Sequence, residues 1–179
     1  MDKFKIIVIS SPKPVMNESA IITGLFSNGL ELFHLRKPFD NIYTTAKLLK
    51  NIPMQFHNRI VIHQHYQLIN DYKLKGIHIK NNNENIPNNC NIISTSFHYF
   101  SELSNKNNYE YVFLSPIFNS ISKDSYSSNF TLSELQKAHN NGIIDNKIIA
   151  LGGITPNNIN IIKEIGFGGA AVLGYIWGR

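Results

Sequence analysis

The chain has 179 residues, 42% of them hydrophobic, and carries a formal charge of +5 with lysines and arginines scattered along its length. One sizeable core is within reach of that length, so a single domain over residues 1–179 is expected. Without an arginine-rich run or an apolar stretch long enough to cross a bilayer, the pattern argues against nucleic-acid and membrane binding and favours small anionic ligands. The lone cysteine, Cys90, excludes an internal disulfide and suits a reducing, cytoplasmic setting.

Taken in chain order, eight short runs rich in β-branched residues recur at 5–10, 30–35, 59–63, 76–79, 91–95, 111–115, 147–151 and 169–173. Most are nearly continuous in Val, Ile and Leu, as parallel strands covered on both faces require. Helical patterns stand between many of them. Asp40 is placed to cap a helix over 41–50, in which Ile42, Thr45 or Ala46, and Leu49 recur at helical spacing. Thr131 and Glu134 match a capping box, with Gly142 as the stop. Thr155-Pro156 pairs an N-cap with proline at the first helical position, and the stripe Ile159, Ile162, Ile165 ends at Gly166. The asparagine-rich stretch 81–89 stands where a fourth helix belongs, and few residues follow the eighth strand.

The fold expected is α/β, a compact (β/α)8 TIM barrel with abbreviated fourth and last helices. An open doubly wound sheet is the alternative, but it calls for a glycine fingerprint after the first strand, and Ser10-Ser11-Pro12-Lys13-Pro14 has none.

In such a barrel, chemistry gathers at the C-terminal ends of the strands. Those ends read His34/Arg36/Lys37, His63/Gln64/His65, Lys80/Asn81, Ser96/His98, Ser120/Ser122/Lys123, Gly152/Gly153 and Gly174, a collection of hydroxyls, cations and bare backbone suited to anions. Gly152 and Gly153 let backbone N–H groups approach a phosphate, and the loops after strands seven and eight are the recurrent phosphate site of these barrels. Ser120, Ser122 and Lys123 offer hydroxyls and charge to a second phosphate, or form an exposed polar loop. Arg36 offers a planar fork, or a surface ion pair. His63 and His65 fall on one side of a strand. With His34, His78 and His98 they make a transition-metal site conceivable, although His78 also suits the core.

Six segments in register, 32–37, 75–79 (KGIHI), 94–98 (STSFH), 111–123, 149–154 (IALGGI) and 166–176, resemble the thiamine phosphate synthases and their thiazole tautomerase relatives. That resemblance implies a (β/α)8 barrel joining a hydroxymethylpyrimidine pyrophosphate to a thiazole phosphate, with release of pyrophosphate aided by Mg²⁺. It places Arg36, Ser96 and Lys123 on pyrophosphate, with Ser120 and Ser122 in place of the family's threonines. Gly152, Gly153, Leu173 and Gly174 fall to the thiazole phosphate, while His34, His63 and His98 join the substrate-binding set. Phosphorylated small molecules are the implied partners, and a homo-oligomer is allowed.

Departures from the family pattern are specific. The family's Asn-Asp after strand three aligns with His63-Gln64, and its second Mg²⁺ aspartate aligns with Asn83, so both carboxylates are missing. The lysine expected two residues after Arg36 is Pro38, which leaves Lys37 as the substitute. A tautomerase histidine after strand six is replaced by Pro116. A non-synthase role that kept the phosphate site, tautomerase-like or ligand-binding, therefore stands beside the transferase. A metal-dependent hydrolase built on His63 and His65 is a third class.

Overall fold

Eight parallel strands follow one another in sequence order around a closed barrel, β1-β2-β3-β4-β5-β6-β7-β8, in a computed structural model. It describes residues 3–80, 86–87, 90, 93–119 and 128–178. The strands are β1 (Lys5–Ile9), β2 (Leu32–Leu35), β3 (Ile60–Ile62), β4 (Gly76–His78), β5 (Ile93–Phe97), β6 (Tyr111–Leu114), β7 (Ile148–Leu151) and β8 (Gly169–Val172). Each coincides with one of the eight apolar runs, trimmed or shifted by a residue or two. The barrel is closed, which sets aside the open sheet. Contacts cluster into two compact units, Val8–Ile93 and the remainder.

Within Val8–Ile93 the crossovers are α1 (Glu18–Ser27), then α2 (Ile42–Lys50) with a 3-10 segment (Met54–Arg59), then α3 (Leu68–Tyr72). Every residue of β2, β3 and β4 is buried, the expected consequence of strands that water reaches on neither face. The strands pair in register, Phe33 opposite Ile60 and Val61 opposite Gly76. Helix α2 begins one residue later than the sequence suggested. Its cap is Asn41, whose side chain accepts a hydrogen bond from the Thr44 N–H, and not Asp40. Asparagine and aspartate cap equally well, so the sequence alone had no means of ranking these neighbours.

In the other unit β5 pairs with β6, β6 with β7 and β7 with β8. The β5–β6 crossover is a 3-10 segment (Phe100–Asn108), and those after β6 and β7 are α4 (Leu132–Asn140) and α5 (Ile159–Ile165). Helix α4 has the anticipated capping box: Thr131 Oγ1 accepts from the Glu134 N–H at 3.2 Å, and Glu134 Oε2 accepts from the Thr131 N–H at 2.7 Å. Thr131→Ala should lower stability by about 1 kcal/mol, measurable by urea denaturation. Helix α5 starts three residues after the expected point. Thr155 to Asn158 form a turn in which Asn158 Oδ1 accepts the Thr155 N–H, and Asn158 is the N-cap residue. After β8 the chain makes a short turn, with Leu173 O accepting from the N–H groups of Ile176 and Trp177, and no helix follows among the described residues. The stretch assigned to an abbreviated fourth helix lies mostly outside the described residues. No helix among them is long and apolar enough to cross a membrane.

Candidate functional site

In Val8–Ile93 the predicted site residues cluster around the C-terminal ends of β2 and β3. Arg36 follows β2 directly and is held through its backbone by Ser10. The fully buried Ser10 hydroxyl donates to Arg36 O at 2.9 Å and accepts from the Arg36 N–H at 2.7 Å. This bond pair fixes the backbone from which the guanidinium extends. Sequence inspection passed over Ser10, although its place at the end of β1 was a usable signal.

Lys37 does something other than the expected substrate contact. Its side chain is 1% exposed, and its ammonium donates to Glu18 Oε2 at 2.6 Å and to Lys13 O at 3.2 Å. Burial raises the Glu18 carboxyl above its ordinary value, and pairing with Lys37 pulls only part of the way back. The charge of Lys37 is thus committed to a buried ion pair tying α1 to the segment after β2, rather than presented to a ligand.

Gln64, which stands where the family has a Mg²⁺ carboxylate, is turned to the backbone: its Oε1 accepts from the Lys37 N–H at 2.9 Å. Its Nε2 is buried and has no partner among the described residues. A neutral amide with its oxygen already engaged does not fit Mg²⁺, which favours carboxylate oxygens in an octahedral shell. The second family position, Asn83, lies outside the described residues.

Three histidines meet here. His34 on β2, His63 immediately after β3 and His78 at the end of β4 place one ring nitrogen each within 4.8 Å of the others. His34 Nδ1 and His63 Nε2 share a hydrogen bond of 2.9 Å, and the His63 and His78 rings stack with centroids 4.2 Å apart. Burial holds all three pKa values below the ordinary histidine range, His78 down to about 3, so all are neutral at physiological pH. The anticipated pairing of His63 with His65 does not occur. β3 ends at Ile62, and His65 sits in the left-handed region (φ 57) with its Nε2 donating to Asp40 O. Strand alternation does not extend past the strand, so the two side chains diverge. The true partners come from neighbouring strands. A histidine near the C-terminal end of each of three consecutive runs was the signal for them.

In the other unit, Gly152 and Gly153 follow β7 with φ of 103 and 62. The reason for glycine here differs from the one expected. A Cβ on Gly153 would meet Asn119 O at 2.4 Å and Phe118 Cβ at 2.7 Å, while one on Gly152 would lie 2.9 Å from Pro116 Cα. The twin glycines are required first by the loop after β6, which packs over them, and by their left-handed backbone. Asn158 ties the same turn down by donating its Nδ2 to Gly153 O at 2.8 Å, a role that sequence inspection missed. Leu151 pairs with Ala171, so Gly153 and Leu173, two residues further on, leave adjacent strand ends together, with Gly174 next in line.

Ser96, half-buried on β5, stands opposite Phe113 of β6. His98 is exposed, and its Nδ1 donates to Ser115 O at 2.9 Å, which leaves Nε2 as the acceptor nitrogen in the neutral ring. Ser120, Ser122 and Lys123 lie outside the described residues.

Comparison with known proteins agrees with this architecture. The family described as thiamine monophosphate synthase matches residues 6–176. The chain is similar to the crystal structure of thiamine phosphate pyrophosphorylase from Bacteroides thetaiotaomicron, at 41% identity and a TM-score of 0.88. That match covers 98% of this chain and 86% of the other. A thiamine phosphate pyrophosphorylase from Pyrococcus furiosus is similar in fold, with 18% identity, a TM-score of 0.76 and coverage of 99% and 89%. So is (S)-3-O-geranylgeranylglyceryl phosphate synthase from Thermoplasma acidophilum, at 12% identity, a TM-score of 0.65 and coverage of 98% and 87%. No curated protein matches the chain. The sequence pattern, the closed eight-strand barrel and a family match spanning nearly the whole chain lead to one statement: this chain belongs to the thiamine monophosphate synthase family.

Proposed function

We propose that the protein is a transferase that joins a hydroxymethylpyrimidine pyrophosphate to a thiazole phosphate and releases pyrophosphate. The observation that carries this reading is the 41% identity, over 98% of the chain, to a thiamine phosphate pyrophosphorylase. In the reaction the bond between the pyrimidine methylene and pyrophosphate breaks, and the thiazole nitrogen captures the resulting cation. The chain's work is then to hold two phosphorylated substrates and to stabilise negative charge on the leaving group. Arg36, with its backbone clamped by Ser10, supplies the fork for pyrophosphate; Ser96, Lys123, Ser120 and Ser122 are assigned to the same leaving group. The backbone at Gly152, Gly153, Leu173 and Gly174 receives the thiazole phosphate.

The test is turnover of both substrates by the purified chain, followed as pyrophosphate release and formation of thiamine phosphate, with and without Mg²⁺. Arg36→Ala should lower kcat/KM by about 100-fold, most of it in kcat, because its contact strengthens as the leaving group gains charge. A well-folded protein that forms no thiamine phosphate under any metal condition would refute the transferase. The second reading, a ligand-binding protein that retains the phosphate cup, is favoured by the engaged amide at Gln64. It requires calorimetric binding of thiazole phosphate or thiamine phosphate without turnover.

A further inference from the structure

The transferase reading gives His34 and His63 no more than a substrate contact and leaves His78 without a task, yet the three rings meet. Its nitrogens come from β2, from the residue after β3 and from β4, three neighbouring strands in a rigid part of the barrel wall. Imidazole nitrogens bind zinc-like ions at about 2.0–2.1 Å, which puts two ligands about 3.0 Å apart at right angles and about 3.4 Å apart in a tetrahedron. The 2.9 Å between His34 Nδ1 and His63 Nε2 falls at the first of these spacings. The His78 nitrogen lies within 4.8 Å of both, so binding would require its ring to shift toward the second of these spacings. All three rings are buried, at 0%, 7% and 4% exposure, and an ion between His34 Nδ1 and His63 Nε2 would take the place of the proton they now share.

The surroundings define what else such an ion would carry. Arg36 and Lys80 lie close enough for their positive charge to be felt at His63. Positive charge around a cation held by neutral ligands favours an anion beside it. The donor set also excludes magnesium: three nitrogens and no carboxylate suit an ion of the zinc or cobalt class and not a hard, oxygen-seeking one.

We propose that His34, His63 and His78 form a binding site for one divalent transition-metal ion of the zinc or cobalt class, with an oxyanion such as phosphate completing its coordination beside Arg36 and Lys80. The site stands on the geometry of the cluster and does not depend on the transferase reading, since metal binding is measured without either thiamine precursor.

The experiment loads the full chain, stripped with chelator, with Co²⁺ or Zn²⁺ alone. One equivalent per chain is expected, with visible Co²⁺ absorption bands that shift on adding inorganic phosphate and persist in millimolar Mg²⁺. X-ray absorption on the zinc-loaded protein should count about three imidazole ligands. His63→Gln and His78→Gln should each weaken Co²⁺ binding at least about 100-fold, whereas His65→Ala, outside the cluster, should leave it unchanged. X-ray absorption on the unsubstituted chain reads the site even where a variant fails to fold. A chain that takes up no stoichiometric Co²⁺ or Zn²⁺, an imidazole count of one or none, or folded variants that bind Co²⁺ as tightly as the parent would each overturn the proposal.

Discussion

Lys37→Met is expected to destabilise the protein by about 3–5 kcal/mol at neutral pH, because it strands the Glu18 carboxylate in the interior without its counter-charge. The pair is nearly inaccessible, at 1% and 6% exposure, so solvent cannot replace the lost ammonium. The sign of the pH effect follows from Glu18. Its folded pKa is raised above the ordinary 4.5, chiefly by burial, so the protonated form is the one the fold favours. Its contribution to stability is therefore greatest below the ordinary value and declines as pH rises through the raised one. In Lys37→Met the opposing charge is gone, the pKa rises further, and the deficit should shrink when denaturation is repeated near pH 4.5. The double change Glu18→Met with Lys37→Met should recover most of the loss, since replacing both members of a buried pair by apolar groups of similar volume is close to neutral. Urea midpoints for the two single variants and the double variant, at both pH values, decide the matter. If Lys37→Met left stability intact while abolishing turnover, the lysine would face substrate after all, as its position in the sequence suggested.

Gly153→Ala should cost about 3 kcal/mol or more. A left-handed backbone costs an alanine about 1–2 kcal/mol, and a methyl group forced against packed backbone adds about 1–3 kcal/mol. The obstruction is Asn119 O at 2.4 Å, a backbone atom that moves only with the whole loop after β6. The variant should therefore lose thermal stability together with phosphate affinity, whereas a glycine needed solely for close approach of a ligand would show the affinity loss alone. Thermal unfolding of the ligand-free protein separates the two. An unchanged Tm would mean that the β6 loop yields readily and that the glycine serves the ligand only.

All eight strands were legible in the sequence because most of their residues are buried, and in strands such as β3 and β6 every residue is, so a short apolar run between polar segments has few other meanings. The Thr131–Glu134 capping box was legible for a similar reason, since both partners lie within one turn of chain. What failed were choices between near-equal neighbours: Asp40 against Asn41 as a cap, and Thr155 against Asn158 at the start of α5. The His63–His65 pairing failed because strand periodicity was carried past the point where β3 stops.

By itself, then, the sequence determined the barrel, the places of its strands and its family, because those depend on local runs whose physics is complete within a few residues. Only the tertiary structure decided the partners of side chains distant in sequence. It joined Lys37 to Glu18, turned Gln64 to the backbone, pressed Gly153 beneath the β6 loop and gathered His34, His63 and His78. Each of those outcomes depends on which neighbour a folded backbone brings within hydrogen-bonding or packing distance, and no spacing along the chain encodes that distance.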